Sequence, residues 1–127
     1  MRILADTHAL IWWMRADARL SKRGMAILKD PGNEILVSAV VGWEIAIKVK
    51  LGKIAPASVL RDLEEAVAVE GFVELPITLA QAIRAGSFML HHNDPFGRLL
   101  AAQAQSLNLP ILSADRVLDQ YGVQRIW

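Results

Sequence analysis

The 127-residue sequence contains no cysteine. This absence excludes disulfides and thiolate metal sites, and it fits a reducing compartment. No apolar run reaches the roughly 18 residues that a membrane span needs, since Glu44 and Lys48 interrupt the longest candidate. The first residues meet an acid at Asp6 and carry no cleavable signal pattern. We therefore expect a cytoplasmic protein that does not contact a membrane.

The sequence also lacks an excess of either charge, because its 14 Lys and Arg residues nearly balance its 13 Asp and Glu residues and leave a formal net charge of +1. The chain thus lacks the overall basic footprint that by itself indicates nucleic-acid binding, although a local patch stays compatible with it. There is no glycine-rich phosphate loop, and the spacing of His8, His91 and His92 matches no zinc motif. We expect the adjacent pair His91 and His92 to lie in a solvated loop.

What the chain does have is apolar content: 54% hydrophobic residues and a mean hydropathy of +0.31. Both values are high for a small soluble monomer, so we expect a partner to cover part of the surface. The four tryptophans are expected in the core or at an interface: Trp12, Trp13, Trp43 and Trp127. The length suits one domain over residues 1–127.

Short apolar segments alternate with helical ones along the whole chain. Strands are predicted at residues 2–5, 34–37, 72–75, 110–113 and 123–127. Helices are predicted at residues 8–15, 22–29, 39–51, 56–70, 79–85 and 95–107. This alternation predicts an α/β fold, a three-layer α/β/α sandwich with a mostly parallel sheet of about five short strands.

Acidic residues stand where this fold would place a ligand. Asp6 ends the first predicted strand, Asp115 follows the fourth, Glu44 lies in the helix after the second, and Asp94 opens the helix before the fourth. In parallel sheets, ligands bind beyond the carboxyl ends of the strands, so we expect these side chains to converge. Converging carboxylates repel one another unless a cation compensates them, and their oxygens suit Mg²⁺ or Mn²⁺.

Each acid also has a purely structural interpretation. Asp6 and Asp94 can cap the helices that follow them, and Asp115 can stabilise a turn. Glu44 can form a surface ion pair with Lys48 one turn further on. The apolar residues on both sides of Glu44 favour a functional role, because a carboxylate in such surroundings needs a partner.

Gly97 is unexpected at its position. With Asp94 at the N-cap and Pro95 as the first helical residue, Gly97 falls at the third helical position, which favours a carboxylate. Glycine there weakens the helix by roughly 1 kcal/mol relative to alanine. The neighbouring Arg98 is either a phosphate contact or a solvated helix residue.

Six segments taken together resemble the PIN-domain family, in particular the VapC-type toxins of bacterial toxin–antitoxin pairs. In chain order they are LADTHALIWW, VSAVVGWEIAIKVKLGKI, FVELPI, HHNDPFGRLLAAQA, LPILSAD and YGVQRIW. The resemblance covers essentially the whole chain, and six segments in this order are highly specific.

The resemblance implies a metal-dependent endoribonuclease of the cytoplasm that uses Mg²⁺ or Mn²⁺. It also implies a homodimer, an RNA substrate with tRNA and rRNA as candidates, and a VapB-type antitoxin whose C-terminal segment binds across the toxin groove. Asp6, Glu44 and Asp115 match three of the family's four acidic positions, as metal ligands and catalytic residues. Ser113 matches a supporting hydroxyl residue two positions before the last acid.

The fourth acidic position departs from the pattern, because Gly97 stands where the family has aspartate. We therefore expect impaired activity, with Asp94 as a partial substitute unless its side chain is engaged at the helix cap. Deliberate silencing, selection against toxicity during cloning and natural inactivation would each put a glycine there.

Two other functions compete with this one. A non-catalytic PIN-like module would bind RNA or an antitoxin without cleaving RNA. A phosphohydrolase with Asp6 as nucleophile would be expected to carry a second aspartate two residues on, where this chain has His8.

Overall fold

The computed structural model describes residues 1–89 and 94–127. Within them the strands are β1 (Arg2–Ala5), β2 (Glu34–Ser38), β3 (Val73–Leu75), β4 (Ile111–Leu112) and β5 (Arg125–Ile126). The helices are α1 (Thr7–Met14), α2 (Lys22–Lys29), α3 (Ala39–Lys50), α4 (Val59–Val69), α5 (Leu79–Ser87) and α6 (Pro95–Leu107). A 3-10 helix follows at Arg116–Tyr121. The predicted loop at His91 and His92 lies outside the described residues.

The strands form one parallel sheet in the order β3-β2-β1-β4-β5. The chain builds outward from β1 through β2 to β3, then crosses to the other side of β1 to add β4 and β5. The strand order therefore reverses between β1 and β4, and such a switch point opens a crevice at the carboxyl edge of the sheet. The predicted α/β fold with five short parallel strands is confirmed.

Apolar side chains from the sheet and helices form the core. β1 and β4 lie at the centre of the sheet, and their side chains at Ile3, Leu4, Ile111 and Leu112 are completely buried. Packing from both faces explains why these strands are continuous apolar runs instead of alternating ones. α1 packs on α4, α5 packs on α6, and α3 contacts members of both pairs.

Several helix ends lie where the sequence predicts them. Ser21 caps α2 by accepting a bond from the Gly24 N–H at 2.9 Å. Thr78 and Gln81 form a reciprocal capping box at the start of α5. Beyond the end of α3, Gly52 adopts a φ of +73°, the left-handed conformation that glycine takes without strain.

Other boundaries differ from the prediction. α4 begins at Val59 and not at residue 56, because the chain first makes a turn in which the Val59 N–H bonds to the Pro56 carbonyl. The 3-10 helix was not predicted at all. Among the described residues, none of the helices has both the length and the apolar character that crossing a membrane requires.

Candidate active site

One small cavity lies at the switch point of the sheet, with a volume of about 130 Å³. It has room for several waters or a hydrated ion. Four acids and the glycine line it: Asp6, Glu44, Asp94, Gly97 and Asp115. The rest of the wall comes from Thr7, His8, Leu100 and Leu118. The acids that the sequence separates by up to 109 positions thus surround one space.

Asp6 is a buried carboxylate that accepts hydrogen bonds from two neighbouring residues. Its Oδ1 accepts a bond from the Ala9 N–H at 2.9 Å and caps α1, while its Oδ2 accepts a bond from the Ser113 hydroxyl. Burial raises the pKa of Asp6 above its ordinary value, and the charge of Glu44 raises it further, whereas the two hydrogen bonds lower it in part. The structural interpretation of Asp6 as a helix cap is thus confirmed, and its functional role stays a prediction.

Glu44 is also buried, and it lines the cavity from α3. Its Oε1 accepts a bond from the Thr7 hydroxyl at 2.6 Å, and its Oε2 pairs with the Lys48 ammonium. The ion pair predicted with Lys48 is present, but it is not the exposed surface pair that the sequence suggests, because the Glu44 side chain is only 4% exposed. The apolar surroundings of Glu44 correctly indicated a partnered carboxylate.

Ser113 connects two of the acids. It is completely buried after β4, donates to Asp6 and accepts a bond from the Asp115 N–H at 3.0 Å. Asp115 is the N-cap of the 3-10 helix, where its Oδ1 accepts a bond from the Val117 N–H at 3.0 Å. The predicted turn role of Asp115 is thus present, and its side chain also lines the cavity.

The start of α6 forms the remaining wall. Asp94 is the N-cap, accepts a bond from the Phe96 N–H at 3.0 Å, and is followed by Pro95 as the first helical residue. Gly97 therefore occupies the third helical position and faces the cavity. The Asp94 side chain is engaged at the cap, which limits it as a substitute for a missing acid.

A family model described as PIN domain matches residues 3–124. This chain belongs to the PIN domain family. Among curated protein sequences, none matches this PIN domain significantly.

Several solved structures with a similar fold are toxin–antitoxin complexes. VapBC2 from Rickettsia felis, bound to a promoter DNA fragment, gives a TM-score of 0.70 at 12% identity, covering 100% of this chain and 99% of the other. VapBC-1 from nontypeable Haemophilus influenzae gives a TM-score of 0.68 at 17% identity, covering 99% of this chain and 97% of the other. FitAcB from Neisseria gonorrhoeae gives a TM-score of 0.64 at 19% identity, covering 98% of this chain and 96% of the other. At these identities the likeness shows the fold.

Arg98 does not reach the cavity of the PIN domain. It lies half-buried on another side of α6, beside an apolar hollow lined also by Trp43 and α5. Its Nε is buried and has no hydrogen-bond partner among the described residues. The two sequence interpretations of Arg98, a phosphate contact or a solvated helix residue, stay predictions.

The acids are of the ligand type that a divalent ion prefers, but too few of those that the structure describes meet at any single position to hold one. Carboxylate oxygens are the ligands that Mg²⁺ and Mn²⁺ prefer. Yet across residues 1–89 and 94–127, no group of three or more His, Asp or Glu side chains is placed to hold a metal ion. The oxygens of Asp6 and Glu44 point to partners within the chain, and Gly97 brings no oxygen. The described residues therefore bring carboxylates to the cavity without arranging three of them around one point.

Two residues of the site were missed or undervalued by the sequence analysis. Thr7 bonds directly to Glu44, and its only sequence signal is a hydroxyl next to Asp6 at a strand end. The sequence predicts Lys48 as an exposed partner of Glu44, whereas in the structure it pairs with a buried carboxylate. The Thr7 bond joins α1 to α3, whereas the Lys48 pair lies within α3 and only its burial depends on the packing around it. No local pattern within either helix could indicate how the two helices pack.

Proposed function

We propose that this PIN domain is a ribonuclease toxin of a toxin–antitoxin pair, with cleavage impaired by Gly97. The observation that carries the proposal is the convergence of Asp6, Glu44 and Asp115 on one cavity beside position 97. PIN domains are generally nucleases, and the residues that would act in this one are the acids at the switch point.

The cofactor that the carboxylates suit is Mg²⁺ or Mn²⁺, with Asp6, Glu44 and Asp115 as its protein ligands. Such an ion, when bound, activates water for attack on a phosphodiester and stabilises the charge that develops. Ser113 holds the Asp6 carboxylate and the Asp115 backbone in place for this role. An aspartate at position 97 would supply the further oxygen that the site lacks.

The fold and the exposed apolar surface support the partners that we propose. Because the similar structures are toxin–antitoxin complexes, we propose a VapB-type antitoxin as partner, with RNA such as tRNA or rRNA as substrate, in the cytoplasm. A second copy of the chain is the other expected partner. Leu79 and Ile83, one turn apart on α5, are 78% and 61% exposed, a larger apolar surface than an isolated helix face favours.

A non-catalytic role is the second candidate, and two observations favour it. Gly97 contributes no carboxylate to the cavity wall, and no three-ligand group is present among the described residues. In that case the PIN domain binds RNA or an antitoxin without cleaving RNA.

Restoring the carboxylate separates the two candidates. The chain and its Gly97→Asp variant are incubated with total cellular RNA, with Mg²⁺, with Mn²⁺ and with a chelator. We expect metal-dependent cleavage by Gly97→Asp and little by the parent chain, because the cation supplies most of the transition-state stabilisation.

Two further variants control this assay. Gly86→Asp places the same carboxylate in a helix away from the acids, where an added Cβ meets nothing within 4 Å, and it should leave cleavage unchanged. Asp115→Asn should abolish the activity gained by Gly97→Asp. If neither chain cuts under any condition, the non-catalytic role stands; if the glycine form already cuts as fast, position 97 is not a catalytic position.

A further inference from the structure

Both carboxylate oxygens of Glu44 are engaged by side chains of the protein itself. Its side chain is 4% exposed, its Oε1 accepts the Thr7 hydroxyl at 2.6 Å, and its Oε2 pairs with the Lys48 Nζ. A carboxylate so deeply buried needs such partners, because its charge is otherwise unfavourable in the apolar interior.

Lys48 is the partner that supplies charge. The Thr7 hydroxyl is neutral, so it satisfies a lone pair without offsetting the negative charge of Glu44. The Lys48 ammonium offsets that charge from outside the cavity wall, since Lys48 is not among the residues that line the cavity. The Oε2 of Glu44 is therefore engaged in a direction other than the cavity.

The position of the ammonium is fixed from a second side. Lys48 Nζ lies 5.9 Å from the centre of the Phe96 ring, within the range of a cation–π contact, and its side chain is only 26% exposed. Phe96 belongs to the first turn of α6, directly before Gly97. Lys48 thus bridges α3 and the helix that carries position 97, whereas Lys50 on the same turn of α3 is exposed.

We propose that Lys48 is the resident cation of this site and competes with the divalent metal for Glu44. While the ammonium holds Oε2, the carboxylate is neutralised and the acids do not assemble into a three-ligand group. Metal binding requires the Glu44 carboxylate to break its ion pair with Lys48. The released ammonium can then keep its cation–π contact with the Phe96 ring. This inference rests on the proposed metal-dependent function and names what regulates its site.

Mn²⁺ binding to the full chain tests the competition without any RNA. Binding is measured from the electron paramagnetic resonance signal of free Mn²⁺, in the Gly97→Asp background and in the parent chain. Lys48→Met removes the charge and keeps an unbranched side chain against Phe96. Lys50→Met is the matched control, because it removes an equal charge from the same turn without touching Glu44.

We expect Lys48→Met to tighten Mn²⁺ binding about tenfold or more in the Gly97→Asp background, since it removes a competing unit charge next to a ligand. Lys50→Met should change binding less than about twofold, because an exposed charge is screened by solvent. Equal or weaker binding by Lys48→Met, while Gly97→Asp itself binds Mn²⁺, overturns the role of Lys48 and leaves the proposed function intact. No Mn²⁺ binding by any variant overturns both.

Folding is checked because Glu44 loses its partner in Lys48→Met. Lys48→Gln, which keeps a hydrogen-bond donor without the charge, repeats the test with a milder change. A variant that folds only after Mn²⁺ is added supports the proposal, because the ion then takes over the compensation of Glu44. A variant that stays unfolded at saturating Mn²⁺ contradicts it.

Discussion

Replacing Ser113 by alanine tests how far the arrangement of the acids depends on one hydroxyl. The Ser113 Oγ is completely buried, donates to the Oδ2 of Asp6 and accepts a bond from the Asp115 N–H at 3.0 Å. Alanine removes one oxygen and leaves little empty space. The variant therefore isolates the hydrogen bonds from the packing.

The expected loss of stability follows from the two bonds. A hydrogen bond to a charged group contributes about 1.5–3 kcal/mol, and one to a neutral amide contributes about 0.5–1.5 kcal/mol. Asp6 keeps its bond from the Ala9 N–H, and Asp115 is only half-buried, so water can replace part of the second bond. We expect the free energy of unfolding at pH 7 to fall by about 2–3 kcal/mol in Ser113→Ala.

Urea unfolding followed by tryptophan fluorescence measures this loss. Ser106→Ala is the control, because Ser106 is exposed on α6, and its substitution should change stability by less than about 0.5 kcal/mol. A loss below about 1 kcal/mol in Ser113→Ala, at an unchanged urea dependence, would refute the reasoning that this hydroxyl compensates the buried carboxylate.

Three further outcomes are expected. Gln103→Leu should lower the free energy of unfolding by about 2–4 kcal/mol, because its buried amide makes three side-chain hydrogen bonds; a loss under about 1 kcal/mol in urea unfolding would contradict this. The melting temperature of Gly97→Asp should rise more steeply with Mn²⁺ concentration than that of the parent chain, and equal slopes in thermal unfolding would speak against a ligand at position 97. Ile83→Lys should reduce the dimer fraction in light scattering, whereas an unchanged mass would exclude this face of α5 from the dimer.

The parts of the fold that the sequence predicts well are those with local causes. Asp94-Pro95 marks the start of α6, and Ser38 marks the start of α3, because capping depends on a few adjacent residues. The predicted start of α4 was wrong by three residues. Pro56 suits a first helical turn, but here its carbonyl accepts a bond from the Val59 N–H in a separate turn that precedes the helix. The 3-10 helix after Asp115 has no apolar period long enough to predict it.

The site was predictable to the extent that topology determines it. Asp6 and Asp115 follow strands that lie side by side, so their meeting follows from a parallel sheet alone. The environment of each side chain depends instead on how distant helices pack. Whether Lys48 bonds at the surface or in the interior, and whether Arg98 faces the acids or α5, is decided by contacts that no short window of sequence contains.

Position 97 stays on the cavity wall because α6 is held in place without it. Asp94 caps the helix by accepting a first-turn N–H at 3.0 Å. In the middle of the helix, Gln103 accepts the Ser38 hydroxyl at 2.5 Å and donates to the Pro76 carbonyl at 3.2 Å. None of these bonds involves Gly97, so the roughly 1 kcal/mol that glycine costs the helix does not displace it. The bonds that hold α6 thus leave Gly97 on the wall of the cavity that the acids line. We therefore expect Gly97→Asp to keep the fold of the parent chain, and a loss of folded structure in circular dichroism would contradict this.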